Sequence, residues 1–274
     1  MENITIFLLI FVFLCIINKL FHNSYIQDIN PIGSHKIWIY SENNESYFET
    51  LLLNKLKMNI NGLMNDLIII TPETISNYLN NFPIDMSDES IPYQKRINLL
   101  YSFLLEKYGG LCISPGTIPI SIKEILNKLY FHDLVTVGSN PKHIQIIDNH
   151  EYPNTNILGS KKETQLIQDY KNELLKNIHN NQIQSYDILS ELIQKYKPSQ
   201  YHFCSLSDGT IDSTKKSTRL DDYLNVNGPE LDLNKLKIIS LPYDELFKNK
   251  KYQWFLNLNE EQFKESKFFI QEFL

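Results

Sequence analysis

The stretch from Gln94 to Ile120 reads QKRINLLYSFLLEKYGG and then LCISPGTIPI, and it decides the fold. Between Ile97 and Tyr108 apolar residues recur at three- and four-residue steps, which predicts a helix that ends at Gly109-Gly110. Because other sides of this helix are apolar too, we expect it to be buried against a sheet. The LCI that follows predicts an interior strand, and Ser114-Pro115-Gly116-Thr117 has the composition of a turn.

Short apolar runs before this stretch predict further strands of the same sheet. Lys36 to Tyr40 and Asp66 to Ile70 are β-like, and helices are predicted from Ser46 to Lys57 and from Thr71. Strands and helices that alternate at short spacing indicate a βαβ arrangement with a largely parallel sheet. Later helices are predicted at 121–130, 163–179, 183–197 and from Glu260, and later strands at 134–137, 143–147, 201–204 and 236–239, with a turn at 138–141.

The N-terminal segment is strongly apolar. Ile4 to Ile17 contains no charged residue, and Leu20-Phe21 extend the run to about 18 residues, close to the roughly 20 that span a bilayer. Bulky residues and the lack of a small-x-small cleavage site favour an uncleaved signal anchor over a signal peptide. A buried helix of a soluble domain is the alternative. We therefore predict an anchor at 1–22, a linker at 23–34 and a single-pass membrane protein with one domain at 35–274.

Composition argues against several classes of protein. The 274 residues include 42% hydrophobic residues, enough for a substantial core, and the net charge of −6 argues against a nucleic-acid partner. Three cysteines make neither a disulfide framework nor a zinc spacing. The motifs G-x-S-x-G, G-x-x-x-x-G-K-[ST] and G-x-G-x-x-G do not occur in the sequence, so serine-hydrolase, P-loop and Rossmann dinucleotide sites are not indicated.

The opening strand, the helix that ends in LLEKYGG and the strand that leaves it together resemble the glycosyltransferase family with the Asp-x-Asp sugar-binding region. That family includes capsular-polysaccharide-type and initiating-mannosyltransferase-like proteins. The similarity covers Lys36 to Ile120 and, more loosely, Tyr252 to Phe255. In the family, the helix has an Asp and, three residues later, an Arg, and the strand after Gly-Gly ends in Asp-x-Asp. Here these positions are Asn98, Tyr101 and Ser114-Pro115-Gly116, so the metal-binding signature is absent.

The resemblance implies a GT-A-like fold, with a mixed, mostly parallel sheet flanked by helices. It also implies transfer of a sugar from a nucleotide-sugar donor to a glycan or protein acceptor, with the donor at the carboxyl edge of the sheet. The residues then expected to bind substrate are Tyr40, Asn98, Tyr101, Gly109, Gly110, Ser114, Gly116 and Thr117.

The family's cofactor is a divalent cation, Mn²⁺ or Mg²⁺, which neutralises the leaving diphosphate. One hydroxyl and backbone groups at Ser114 to Gly116 cannot replace two carboxylates, so we assign no metal ligand there. A cation site would need other acids, for which the candidates are Asp85, Asp88, Glu106 and Asp148.

Three interpretations stay open. The chain is a divergent glycosyltransferase that uses other acids, or holds the diphosphate through Lys, Arg and backbone amides. Alternatively, it is a catalytically degenerate binding or scaffold protein of the same fold at a membrane, as the joint changes at Asn98, Tyr101 and Ser114 to Gly116 suggest. In the third, the resemblance is accidental and the chain is a membrane-anchored α/β protein of another kind.

Overall fold

The computed structural model describes residues 35–42, 46–60, 66–139, 152–180, 182–204, 208–242 and 244–274. The predicted anchor and linker, the predicted strand at 143–147 and Asp148 lie outside these residues. Within the described ranges, no helix has both the length and the apolar character needed to cross a bilayer.

A seven-stranded mixed sheet forms the centre of the domain. Its strands are β1 (Lys36–Tyr40), β2 (Asp66–Ile70), β3 (Gly110–Ile113), β5 (Leu134–Ser139), β6 (Tyr152–Pro153), β7 (Ile157–Ser160) and β8 (Tyr201–Cys204), while β4 (Thr117–Pro119) and β9 (Ile238–Ser240) form a separate antiparallel pair. The strand order is β2-β1-β3-β7-β5-β6, and β8 also pairs with β5. Five of the seven strands run in one direction, and β6 and β7 run against them.

Helices flank this sheet. They are α1 (Tyr47–Ile60), α2 (Ile75–Tyr78), α3 (Tyr93–Tyr108), α4 (Ile122–Lys128), α5 (Gln165–Lys176), α6 (Ser185–Ile193), α7 (Leu220–Tyr223), α8 (Gln253–Leu256) and α9 (Glu260–Glu265). The predicted mixed α/β architecture, a sheet flanked by helices, is confirmed.

The two faces of the central strands pack against different helices because successive side chains alternate along a strand. Trp38 and Cys112 belong to the same buried cluster as α3. Ile37 and Leu111 point the other way, into a cluster that includes α4. The central strands are therefore buried on both faces, as a parallel α/β sheet requires.

The glycine pair makes a tight passage from α3 into β3. Gly109 and Gly110 have φ angles of +69° and +108°, a region that side chains other than glycine rarely adopt. A Cβ on Gly110 would lie 2.1 Å from the carbonyl oxygen of Lys36, and the indole Nε1 of Trp38 donates to the Gly109 carbonyl at 3.0 Å. The pair therefore allows α3 to pack closely over the start of β1.

An aromatic cluster near the C-terminus attaches the last helices to α1. The ring of Phe255 lies 5.1 Å from Phe48 of α1, 5.8 Å from Phe263 and 5.7 Å from Phe268. Phe48 and Phe255 are each 1% exposed. The end of the chain thus contributes to the core of the domain.

Several element boundaries differ from the sequence-based predictions, for example the helix predicted at 183–197, which ends at Ile193. The predicted turn at 138–141 is wrong at its start, since Gly138 and Ser139 belong to β5, where they pair with β6. The helix predicted from Thr71 begins as a 3₁₀ turn at Pro72–Thr74. The helix that starts at Glu260 stops at Glu265, and a 3₁₀ segment, Phe269–Phe273, follows.

Candidate functional site

The candidate site lies where the carboxyl ends of β1 and β3 meet. The chain passes from β1 to β2 on one side of β1 and then crosses to β3 on the other side. At such a reversal of strand order, α/β proteins commonly bind ligands at the carboxyl edge of the sheet. Tyr40 ends β1 and Ser114 follows β3, so both lie at this edge.

Several buried polar atoms of α3 and this edge have no hydrogen-bond partner within the described part of the chain. They are the Tyr40 hydroxyl, Nε and Nη1 of Arg96, Nδ2 of Asn98 and Oγ1 of Thr117. The four residues are at most 4% exposed. Because an unsatisfied buried donor costs about 1–3 kcal/mol, such a group of atoms is typical of a site completed by a ligand or by water.

Tyr101 has a structural role at the same edge. Its hydroxyl accepts a hydrogen bond from the Tyr40 backbone N–H at 3.1 Å and donates one to the Ile113 carbonyl at 2.6 Å. These bonds fix the end of β1 to the end of β3. Burial raises the pKa of the Tyr101 hydroxyl well above its usual range. The group therefore stays protonated and can donate its hydrogen bond to the Ile113 carbonyl.

The structure does not bring the glycine pair to this edge. Gly109 and Gly110 lie at the amino end of β3, about 13 Å of strand away from Ser114 at 3.3 Å per residue. Both glycines are buried and contact the backbone of Lys36 and Lys162. Their expected place in a cleft together with Tyr40 is therefore corrected: they serve the passage between helix and strand.

The turn from Ser114 to Thr117 is buried beneath the segment that follows β9. Ser114 and Thr117 are 2% and 4% exposed, and the Leu241 N–H donates to the Gly116 carbonyl at 3.1 Å. A Cβ on Gly116 would lie 3.3 Å from the Leu241 carbonyl oxygen and 3.8 Å from the Phe247 ring. The turn thus forms an inner wall of the site rather than an open floor.

The candidate acids do not converge. Glu106 forms an ion pair with Lys171 at 2.5 Å and lies ten residues along α3 from Arg96. Asp85 accepts from the backbone N–H of Ser87 at 2.8 Å, and Asp88 from that of Ser90 at 2.9 Å. In the ranges that the structure describes, no three His, Cys, Asp or Glu residues come together as they would around a metal ion.

Positive charge gathers around the ring of Tyr93 in the first turn of α3. The guanidinium carbon of Arg96 lies 5.7 Å from this ring, and Nζ of Lys248 lies 5.0 Å from it. The rings of Tyr40 and Tyr93 are 6.5 Å apart. Burial is the main cause that raises the pKa of the Tyr40 hydroxyl, Glu42 raises it further, and the Arg96 charge opposes both. Arg96 and Lys248 therefore both lie next to the Tyr93 ring, near the end of β1.

Glu49 of α1 is a second unusual group. Its Oε2 is buried and has no hydrogen-bond partner in the described ranges. Burial, followed by repulsion from Glu42, raises the pKa of Glu49 from 4.5 to about 7. Glu42 lies two residues after the end of β1. The pKa of Glu49 therefore depends on charge at the same edge of the sheet.

A cavity of about 260 Å³ flanks the carboxyl end of β2. It is lined by residues of the segment that follows this strand, among them Pro72, Ile75, Leu79, Phe82, Asp85 and Met86. The Asp85 carboxylate acts electrostatically on both Tyr40 and Arg96. A larger cavity of about 390 Å³ lies between α5 and α6, lined by Glu173 and Asp187 among others.

No protein-family model matches the chain, and no curated protein matches it. The function is therefore inferred from the residues and geometry of the chain itself.

Three residues of this region are missing from the sequence-based prediction: Glu49, Arg96 and Lys248. Arg96 has a visible signal, because only two of the 26 Lys and Arg residues are arginines and one of them lies in the apolar helix α3. A charged group within a buried helix is rarely left without a partner. Glu49 and Lys248 have no comparable local signal.

Proposed function

We propose that the chain is a glycosyltransferase-like protein of GT-A type. It binds a nucleotide sugar at the carboxyl edge of β1 and β3 and transfers the sugar to a glycan or protein acceptor. The membrane anchor expected at residues 1–22 would hold this reaction at a membrane.

The observation that supports this proposal is the group of buried, unsatisfied polar atoms at and next to the strand-order reversal. Tyr40, Arg96, Asn98 and Thr117 offer hydroxyl, guanidinium and amide groups of the kinds that bind phosphate and sugar oxygens. They come from β1, α3 and the start of β4, which are rigid elements, so a ligand would meet preorganised donors.

The second candidate is a binding protein of the same fold that does not transfer sugar. The role of Tyr101 favours it, because the residue at the family's Arg position is fully occupied by backbone hydrogen bonds. The dispersed positions of Asp85, Asp88 and Glu106 also favour it, since a metal-dependent mechanism needs converging carboxylates.

Binding and turnover measurements test both candidates. The full-length chain, in a non-ionic detergent, is titrated with UDP- and GDP-sugars by calorimetry, with and without Mn²⁺, and release of the nucleoside diphosphate is followed with glycan acceptors. We expect binding that weakens about tenfold or more in Tyr40→Phe. The control Tyr130→Phe removes another hydroxyl without a partner in the described residues and should bind as the parent does.

The outcomes separate the two candidates. Binding together with release of diphosphate supports the transferase. Binding without turnover supports the binding protein, and failure to bind any of these sugars contradicts both.

A further inference from the structure

Arg96 is a buried cation, and part of its hydrogen-bonding capacity is unused within the described residues. It is 2% exposed, and its Nε and Nη1 have no partner in the described part of the chain. Nε carries one N–H group and Nη1 carries two, all within the rigid planar fork of the guanidinium group, and they can donate charge-assisted hydrogen bonds to the oxygens of an anion. A buried charge in this state is costly, so a bound anion would stabilise the protein around it.

Two further sources of positive charge lie in the same region as the guanidinium group. One is Lys248, which is exposed and whose Nζ lies 5.0 Å from the ring of Tyr93. Arg96 also lies in the first turn of the 16-residue helix α3, which has Pro92 at its N-cap and no acidic residue in its first turn. Its amino end therefore keeps the partial positive charge that favours anions.

The nearby acids do not neutralise Arg96 by contact. Asp85 and Asp88 act on it electrostatically, but each carboxylate accepts hydrogen bonds within its own turn, from Ser87 and Ser90. Hydrogen bonds from Ser87 lower the pKa of Asp85, and those from Ser90 lower the pKa of Asp88. The acids stay ionised in the loop, and the guanidinium fork stays available.

We propose that Arg96, assisted by Lys248 and the amino end of α3, is a diphosphate-binding site that works without a metal ion. The inference rests on the proposed function for the source of the diphosphate, which is the nucleotide-sugar donor. Arg96 would donate hydrogen bonds from Nε and Nη1 to phosphate oxygens, and Lys248 would supply a second positive charge from the solvent side. Together, Arg96 and Lys248 would neutralise the negative charge of the diphosphate. In a site with two carboxylates, a bound divalent cation does this.

The test uses inorganic pyrophosphate in the presence of EDTA as the probe of this site. Calorimetric titration of the full-length chain in detergent is compared with the same titration of Arg96→Met, Arg96→Lys and Lys248→Met. Arg219→Met is the matched control, because Arg219 is the other arginine of the chain and is exposed. Thermal melts with and without pyrophosphate are recorded for each protein.

We expect the parent to bind pyrophosphate in EDTA and to melt at a higher temperature with it. Arg96→Met should bind about 10- to 100-fold more weakly, yet melt no lower than the parent in buffer alone, because it removes a buried charge. Arg96→Lys should fall between them, since lysine retains the charge and loses the fork. Lys248→Met should weaken binding less, and Arg219→Met should behave as the parent.

Two outcomes contradict the inference. Parent-like pyrophosphate affinity in Arg96→Met overturns it, and so does a parent that does not bind pyrophosphate in EDTA. If that parent still binds UDP- or GDP-sugars, the proposed function stands and the Arg96 site does not. If the parent binds pyrophosphate through Arg96 and binds no nucleotide sugar, the Arg96 site stands and the proposed function does not.

Discussion

At the scale of single residues, the hydroxyl group of Tyr101 joins two strand ends that the ligand site depends on. It satisfies one backbone donor, on Tyr40, and one backbone acceptor, on Ile113, in a fully buried position. It adds to the pairing of β1 with β3, which extends to Ile39 and Ile113, and so helps to position Tyr40 relative to the turn after β3. Tyr101 therefore positions the site and is not expected to contact a ligand.

Tyr101→Phe should lower the free energy of unfolding by about 2–4 kcal/mol, because two buried backbone groups lose their partner. Urea denaturation should show a lower midpoint with an unchanged slope. The same exchange at Tyr130, whose hydroxyl has no partner in the described residues, is the control and should change stability by less than about 0.5 kcal/mol. Equal effects of the two exchanges would contradict the role of Tyr101.

Glu49 should make the stability of the domain depend on pH. Its pKa rises from 4.5 to about 7 on folding, so between these values the folded state binds more protons than the unfolded state. The free energy of unfolding should then fall as pH rises from 4.5 to 7 and level off above 7. Each pKa unit of difference between the folded and unfolded states is worth about 1.4 kcal/mol. Because contact with solvent weakens the interactions of this carboxyl group, we expect the free energy of unfolding to fall by only about 1–2 kcal/mol.

Chemical denaturation of the parent and of Glu49→Gln at pH 5, 6, 7 and 8 checks this. The difference in unfolding free energy between the two proteins isolates Glu49 from the histidines that titrate in the same range. A difference that stays constant from pH 5 to 7 would show that Glu49 has an ordinary pKa.

At the scale of elements, the passage from α3 to β3 requires Gly109 and Gly110, because a side chain at either position would clash with neighbouring backbone. Ser114 to Gly116 follow the strand, whereas Gly109 and Gly110 lie at its start. Since a strand has a direction, the two features lie at opposite ends of β3. Residue pairs far apart in sequence, such as Lys36 with Gly110, decide how closely the elements pack at this end.

Gly110→Ala should destabilise the domain by more than about 3 kcal/mol. The new methyl group would lie 2.1 Å from the carbonyl oxygen of Lys36, and the φ angle of residue 110 is +108°. Gly159→Ala is a graded control: its nearest neighbours are methyl groups of Leu129 and Leu111 at 3.1–3.2 Å, which can move. We expect about 1 kcal/mol there. Thermal melts of the two variants give the comparison, and a Gly110→Ala protein as stable as Gly159→Ala would rule out the steric explanation.

The sequence predicts the elements well where local pattern is strong. The strands at Lys36–Tyr40 and Asp66–Ile70 are found with their exact ends, since short apolar runs stop at polar residues. The extension of β5 through Gly138 and Ser139 is missed, because it depends on pairing with β6. Of the residues expected to bind substrate, Tyr40 and Ser114 do lie at one edge of the sheet, whereas the approach of Lys248 to Tyr93 depends on tertiary contacts that no local pattern reveals.

At the scale of the whole molecule, both ends of the described chain contribute to one core. Phe255 packs on Phe48 of α1, and Trp38 of β1 packs beneath α3 with Tyr78 and Tyr108. The two buried clusters share the central strands. We therefore expect the region from His35 to Leu274 to unfold as a single cooperative unit.

The two tryptophans allow a direct test of this cooperativity. In Trp254→Phe only Trp38 of β1 fluoresces, and in Trp38→Phe only Trp254, which adjoins the C-terminal aromatic cluster. Within each variant, the midpoint of urea unfolding by fluorescence should coincide with that by far-ultraviolet circular dichroism. A fluorescence midpoint for Trp254 clearly below the dichroism midpoint would show that the C-terminal segment detaches first.

The close approach of Gly110 to the first residue of β1 has a consequence for how this chain can change over generations. Selection for a soluble, folded product is enough to keep a residue without a side chain there, whether or not the protein catalyses anything. A glycine doublet at this place is therefore required by packing alone, and it says little about the chemistry of the protein.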